Sequence, residues 1–299
     1  MNESHVKFFE GHGRSTLVTL LIGAFLLVLV PFSLSEEGTL KLLRAEAATA
    51  AVVTPHFLYT FNTAGTLPEA GSMNESWSPY FWVNSGAYLI MQDGLGKTVQ
   101  GALPSTDLFR LLYSSSNPLD TGSGYYPQNI FRLVTRSQWT NARQEMQFKI
   151  QKTILTDTPN RDGYSGVLFF SRYKDSQNLY YAGIRQDGMA VIKKKMNGTY
   201  YTMALERVWP GTYNKWTNPS LIPQKQWMRM RLVTQTETNG SVSLTLYVDK
   251  TNTGNYEQVA RGIDNAGKYG GSVISGAGYA GIRTDYEDVF FNDYRLTEL

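Results

Sequence analysis

From residue 56 onward, apolar residues recur at every second position, not every third or fourth. Residues 141–151 set Ala142, Met146, Phe148 and Ile150 against Asn141, Arg143, Glu145 and Gln147. In 227–233, Met228, Met230 and Leu232 alternate with Arg229 and Arg231. Val242, Leu244, Leu246 and Val248 alternate with Ser243, Thr245, Tyr247 and Asp249. Successive side chains of a strand point to opposite faces, so this pattern predicts strands with one buried side. The short apolar runs 166–170 and 289–291 suit strands covered on both sides.

Turn residues punctuate these runs. Asp93-Gly94, Asp162-Gly163, Asp187-Gly188, Asn197-Gly198 and Asn239-Gly240 supply the positive φ that tight hairpins require. Residues 114–124 (SSSNPLDTGSG) read as a loop. So do 208–223, which carry Pro210, Gly211, Pro219 and Pro223 with Trp209, Tyr213 and Trp216. No strand–helix alternation appears. The expectation is an all-β antiparallel sandwich or barrel over 56–299.

The N-terminal fifth is different. Residues 15–35 contain no charge, and 17–32 are almost wholly apolar. A run of about 20 such residues is long enough to cross a bilayer as a helix. Lys7 and Arg14 precede it, and Ala45-Glu46-Ala47 and Ala48-Thr49-Ala50 follow, both of the small-x-small type that signal peptidases cut. The chain therefore divides into a polar segment 1–14, a signal peptide or membrane anchor 15–35, a linker 36–55 and the β domain 56–299. Either form of the leader places that domain outside the cytoplasm, secreted or held at the membrane.

Composition narrows the chemistry. There is no cysteine, which removes disulfides and thiolate metal sites. The three histidines are His5, His12 and His56, so nothing beyond residue 56 uses imidazole. The net charge of +3 is too small to indicate nucleic acid as the main partner. Beyond the hydrophobic run, three N-x-S/T sequons lie at Asn74, Asn197 and Asn239; for the last two, a turn-forming role is sufficient explanation.

The order of elements resembles the concanavalin A-like lectin/glucanase superfamily in its laminin-G-like branch. Phe57 and Phe61 resemble the paired aromatics of the opening strand, and Trp82 follows them. Gly86, Tyr88, Ile90, Asp93 and Gly94 resemble the Gly-aromatic-aliphatic strand and its turn. The W-x-N-A-R-x-E run from Trp139 to Glu145, the segments 166–172 and 178–184 with Tyr180 and Tyr181, and the closing GYAGIRT and FFND runs complete the likeness. It implies a two-sheet antiparallel jelly-roll sandwich behind the N-terminal hydrophobic helix.

The fold serves lectins, hydrolases, lyases and adhesion modules, so function rests on residues. The E-x-D-x-x-E strand that supplies two carboxylates to glucanase-type relatives is absent. The leading expectation is carbohydrate binding without catalysis, with polysaccharide or glycan as partner and the membrane as a second partner if 15–35 is uncleaved. Trp209, Tyr213 and Trp216 are the candidate stacking platform, extended by Tyr200 and Tyr201, and Arg172, Arg185 and Lys194 are candidate ligand contacts. The alternative is a polysaccharide lyase or glycoside hydrolase. Resemblance to alginate-type lyases then implies Tyr181 as the base, with Arg143 and Glu145 beside it. A third class is a structural envelope or adhesion protein. The resemblance also implies a structural Ca²⁺ at Asp293, with Asp93 as second contributor. Arg283 to Asp288 read as a solvated loop.

Overall fold

The computed structural model describes residues 56–299; the leader 15–35, its polar lead and the linker lie outside them. Among the described residues no helix is long and apolar enough to cross a membrane. Sixteen strands follow in order: β1 (His56–Tyr59), β2 (Gly65–Pro68), β3 (Phe81–Ser85), β4 (Tyr88–Gln92), β5 (Leu95–Lys97) and β6 (Phe131–Trp139). Next come β7 (Ala142–Thr153), β8 (Gly166–Asp175), β9 (Asn178–Arg185), β10 (Met189–Met196) and β11 (Thr199–Arg207). The last five are β12 (Met228–Thr236), β13 (Val242–Asp249), β14 (Glu257–Asp264), β15 (Gly278–Thr284) and β16 (Glu287–Glu298).

They form two antiparallel sheets. A nine-stranded sheet runs β14-β13-β12-β7-β16-β5-β4-β2, with β1 also paired to β16. A seven-stranded sheet runs β11-β10-β9-β8-β15-β6-β3. The predicted alternation sets the inner faces: Met146, Phe148 and Ile150 of β7 and Met228, Met230 and Leu232 of β12 meet Phe169, Ala182, Ile184 and Ile192 from the facing sheet in one core. This is the sandwich that the sequence pattern implied, its two inner faces interdigitating. Four of the five Asx-Gly pairs join neighbouring antiparallel strands; Asp162-Gly163 lies in the loop before β8. At Asp93-Gly94 and Asn197-Gly198 both residues have positive φ (57° and 71°, 49° and 82°), as the tight hairpin turn demands.

Residues 114–124 depart from the expected loop. They carry the end of helix α1 (Leu108–Ser116) and all of α2 (Pro118–Thr121). Capping explains both: the Asp107 carboxylate accepts from Phe109 N, the Asn117 side chain accepts from Asp120 N, Pro118 opens α2, and left-handed Gly122 ends it.

Two candidate ligand contacts are interior ties. Lys194 shares the inward phase of Ala190 and Ile192; its Nζ lies 2.9 Å from Asp264 and donates to Ser272 O at 2.6 Å, with no exposed surface. Arg172, 1% exposed, donates to Thr140 O and Ile274 O at 3.0 Å and to Thr236 Oγ1 at 2.6 Å. Both cations are themselves buried and spend their donors on partners within the domain, so neither reaches a ligand. The segment 208–223 is the irregular loop expected. However, Trp209 is buried against the core and Tyr213 is half-buried, leaving only Trp216 well exposed. The three rings do not form an open row.

Candidate functional site: the outer face of the seven-stranded sheet

The outward phase of this sheet is unusual for a solvent face. Val134, Leu168, Phe170, Tyr173, Leu179, Tyr181 and Val191 make a second apolar cluster, each at most 7% exposed. Longer side chains cover it: Arg132 from β6, Arg283 from β15, Lys193 and Lys195 from β10 and Tyr200 from β11. Lys195 stands opposite Tyr200 in register, so the two share a face.

A cavity of about 150 Å³ opens on this cluster, lined by Arg132, Tyr173, Tyr181, Lys195, Tyr200 and Arg283. A second, of about 230 Å³, adjoins it; Arg132 and Arg283 line both, joined by Tyr164, Asp285, Tyr286 and Asp120. The Tyr181 and Tyr200 rings meet edge to face at 5.8 Å. The Arg283 guanidinium carbon lies 5.7 Å from the Tyr181 ring centre, and Lys195 Nζ lies 4.8 Å from that of Tyr200. Arg185 stacks on Tyr164 at 4.3 Å. The result is a groove with an aromatic floor and cationic walls.

Its carboxylates are engaged. Asp285 accepts from Arg283 Nε at 2.7 Å, Asp187 pairs with Arg185 at 2.5 Å, and Asp120 accepts from the Tyr286 hydroxyl at 3.0 Å. Five cations (Arg132, Arg185, Arg283, Lys193, Lys195) thus face three acids. Burial, then Arg283, pulls Arg132 below the ordinary guanidinium range, and burial, then Arg185 and Arg283, lowers Lys193. Burial lowers the Arg283 guanidinium, but Asp285 together with Tyr181 and Tyr200 outweighs it and holds the group up. Burial raises the Tyr181 phenol despite Arg283. At Tyr200 burial also raises the phenol, but Arg283 and Lys195 outweigh it, and the net shift is downward.

The catalytic set implied by lyase resemblance does not assemble. Tyr181 points outward from the seven-stranded sheet, whereas Arg143 and Glu145 sit on β7 of the other sheet, out of phase with inward Met146 and Phe148. The sandwich core therefore separates them. Of the expected ligand contacts, Tyr200 lines the groove and Arg185 borders it through the Tyr164 ring. Arg132, Arg283, Lys193 and Lys195 were missed; their signal was the phase set by Phe131, Leu133, Ile282 and Ile192.

Asp93 and Asp293 do not fit a calcium ion. Asp93 is an exposed turn residue 3.7 Å from Lys97, and Asp293 lines a pocket with Arg229 and Arg295 while accepting from Gln147 at 2.8 Å. Calcium needs about six to eight oxygens. Among the described residues no group of three or more His, Asp or Glu is arranged to hold a metal.

No family model matches this chain, and no curated protein does. Among solved structures it is similar to the carbohydrate-binding module CBM66 from Bacillus subtilis, at 15% identity and TM-score 0.39, covering 56% of this chain and 81% of that one. A protein of unknown function with a galectin-like fold from Bacillus subtilis matches at 11% and 0.45, covering 79% and 97%. A Bacillus licheniformis beta-glucanase matches at 11% and 0.40, covering 82% and 98%. At such identities a likeness speaks to fold and not to ligand or chemistry.

Proposed function

We propose that this chain binds an anionic polysaccharide on the outer face of its seven-stranded sheet, without cleaving it. The supporting observation is the pair Arg132 and Arg283, shared by two adjoining cavities above a Tyr/Phe floor. Planar guanidinium forks bind the two oxygens of a carboxylate or sulfate. Aromatic faces accept the C–H faces of pyranose rings. The groove's acids are tied to Arg283, Arg185 and Tyr286, which argues against a free acid–nucleophile pair. The charge-free run 15–35 supports a place outside the cytoplasm, anchored or released.

The test is affinity electrophoresis of the full chain through gels holding alginate, hyaluronan, heparin or a neutral glucan. Retardation by the acidic polymers alone is expected, with Arg283→Gln at least tenfold weaker. Equal retardation by the neutral glucan, or none by any polymer, removes the reading.

Tyr200 favours a second reading. Its lowered phenol beside Arg283 and Lys195 suits the base of a uronate lyase better than raised Tyr181 does. Such a base, as phenolate, takes the C5 proton; the C5–H pair forms the C4=C5 bond, the C4–oxygen pair leaves with the oxygen, and the newly formed phenol or water protonates that oxygen, giving an unsaturated uronate and a free hydroxyl end. Appearance of that chromophore on alginate, and its loss in Tyr200→Phe, establishes the enzyme; no chromophore on any uronate polymer leaves the binding module.

A further inference from the structure

The nine-stranded sheet carries a separate cluster on its own outer face. Arg231 of β12 lies opposite Glu145 of β7, which lies opposite Arg295 of β16, so one row crosses three strands. Arg229 stands one row along, opposite Gln147, and Arg143 shares Glu145's face two residues before it. Together they line a pocket of about 320 Å³, with Asp293 and Tyr256 among its walls.

Among the described residues Glu145 is the only acid that forms an ion pair with these arginines. Its Oε1 accepts from Arg231 Nε at 2.8 Å and Nη2 at 2.7 Å, and its Oε2 lies 3.4 Å from Arg143 Nε. Arg231 is held from its other side by Tyr256, 3.8 Å from ring centre to guanidinium carbon. Asp293 is engaged by Gln147 at 2.8 Å, in a left-handed conformation (φ 46°) at the bulge that breaks the β16–β7 ladder. Arg229 donates to neutral Asn252 at 2.7 Å. Among the described residues Arg295 forms no ion pair, and Arg143 Nε is shut off from water without a hydrogen-bond acceptor. A strand face that merely met solvent would leave its guanidiniums hydrated. Here a pre-positioned set of donors surrounds a hollow and outnumbers its acids four to two.

We propose that this pocket is an oxyanion site, taking a sulfate, phosphate or carboxylate group. Arg231 is its fixed wall, and Arg229 and Arg295 are the arms that close on the ligand. It lies on the opposite broad side from the Arg132–Arg283 groove and stands independently of it. If both sites are filled, the domain bridges two polyanion chains, a consequence that does rest on the groove reading.

Equilibrium dialysis of the full chain against radiolabelled phosphate, radiolabelled sulfate and methyl glucuronide, at fixed ionic strength, tests the site and separates its sources. Saturable uptake is expected, at least tenfold weaker in Arg229→Gln/Arg295→Gln and still saturable in Arg132→Gln/Arg283→Gln, where any decrease is the groove's own share. Arg295→Gln alone, which breaks no ion pair, serves if the double variant loses its cooperative melt. Uptake linear in concentration, or wild-type saturation in a folded Arg295→Gln chain, overturns the proposal. Loss of saturation only in the Arg132/Arg283 variant overturns it too, by placing the anion in the groove. Failure of the groove reading shows separately, as gel retardation that Arg283→Gln leaves at wild-type strength with phosphate uptake intact.

Discussion

Lys194 on β10 and Asp264 on β14 meet at 2.9 Å inside the sandwich, an ion pair that joins the two sheets with neither side chain exposed. The Tyr180 hydroxyl donates to the same carboxylate and accepts from Ile274 N at 2.9 Å, which also holds the 265–277 loop against the core. Removing one partner of such a pair strands a buried charge, at a cost of roughly 3–5 kcal/mol. Asp264→Leu is therefore expected to lower the urea midpoint sharply, and Lys194→Met/Asp264→Leu to recover much of the loss. A single variant as stable as the parent chain contradicts this role.

Glu287 gives the domain a pH dependence of defined sign. Burial raises its carboxyl from 4.5 to about 8, against the Gln186 amide, with Asp285 and Asp288 adding to the rise. The folded chain keeps this proton across a range where the unfolded chain has released it. Stability from Glu287 is thus complete below about pH 4.5 and is lost as pH rises to about 8. Chemical denaturation across that window is expected to show a downward slope that Glu287→Gln flattens. An unchanged slope in the variant excludes Glu287 as its source.

Salt separates charge from stacking in the groove. Binding of an acidic polymer through Arg132, Arg283 and Lys195 is expected to weaken steeply with sodium chloride. Arg283→Gln should both lower affinity, by about 1.5–3 kcal/mol for a hydrogen bond to a charged group, and shallow the salt slope. Gel retardation measured over a salt series checks both; a steep slope retained in the variant points to cations elsewhere.

The β10–β11 turn offers a backbone test. Asn197 sits at φ 49° and tolerates the left-handed region better than other non-glycine residues. Asn197→Val is expected to cost about 1–2 kcal/mol by the same steric argument, read as a drop in melting temperature. Since Lys195 and Tyr200 flank this turn, groove affinity should fall with it.

Much of the fold was legible because alternation and Asx-Gly turns are local signals. Phase was legible too: Ala190 and Ile192 place Lys194 inside, although a run of three lysines invites the opposite reading. Which sheet a strand joins was not legible, since the apolar pattern of β7 or β9 shows which faces are covered and not which strands pair with it, and the two end in different sheets. That is why Tyr181 and Glu145, each on an outward face, could be paired on paper and lie on opposite sides of the core. The Arg283–Asp285 segment read as a loop because its charges conceal the inward Ile282.

The domain's first and last strands are neighbours: His56 of β1 lies opposite Thr297 of β16, and Phe57 packs edge-on against Phe81 and Tyr294. Tension arriving through the preceding chain therefore falls first on this four-residue ladder and its aromatic wedge. Peeling at β1 is the mechanical fuse of the molecule, and it strips the ladder partner from Arg295, since Leu58 lies opposite that residue.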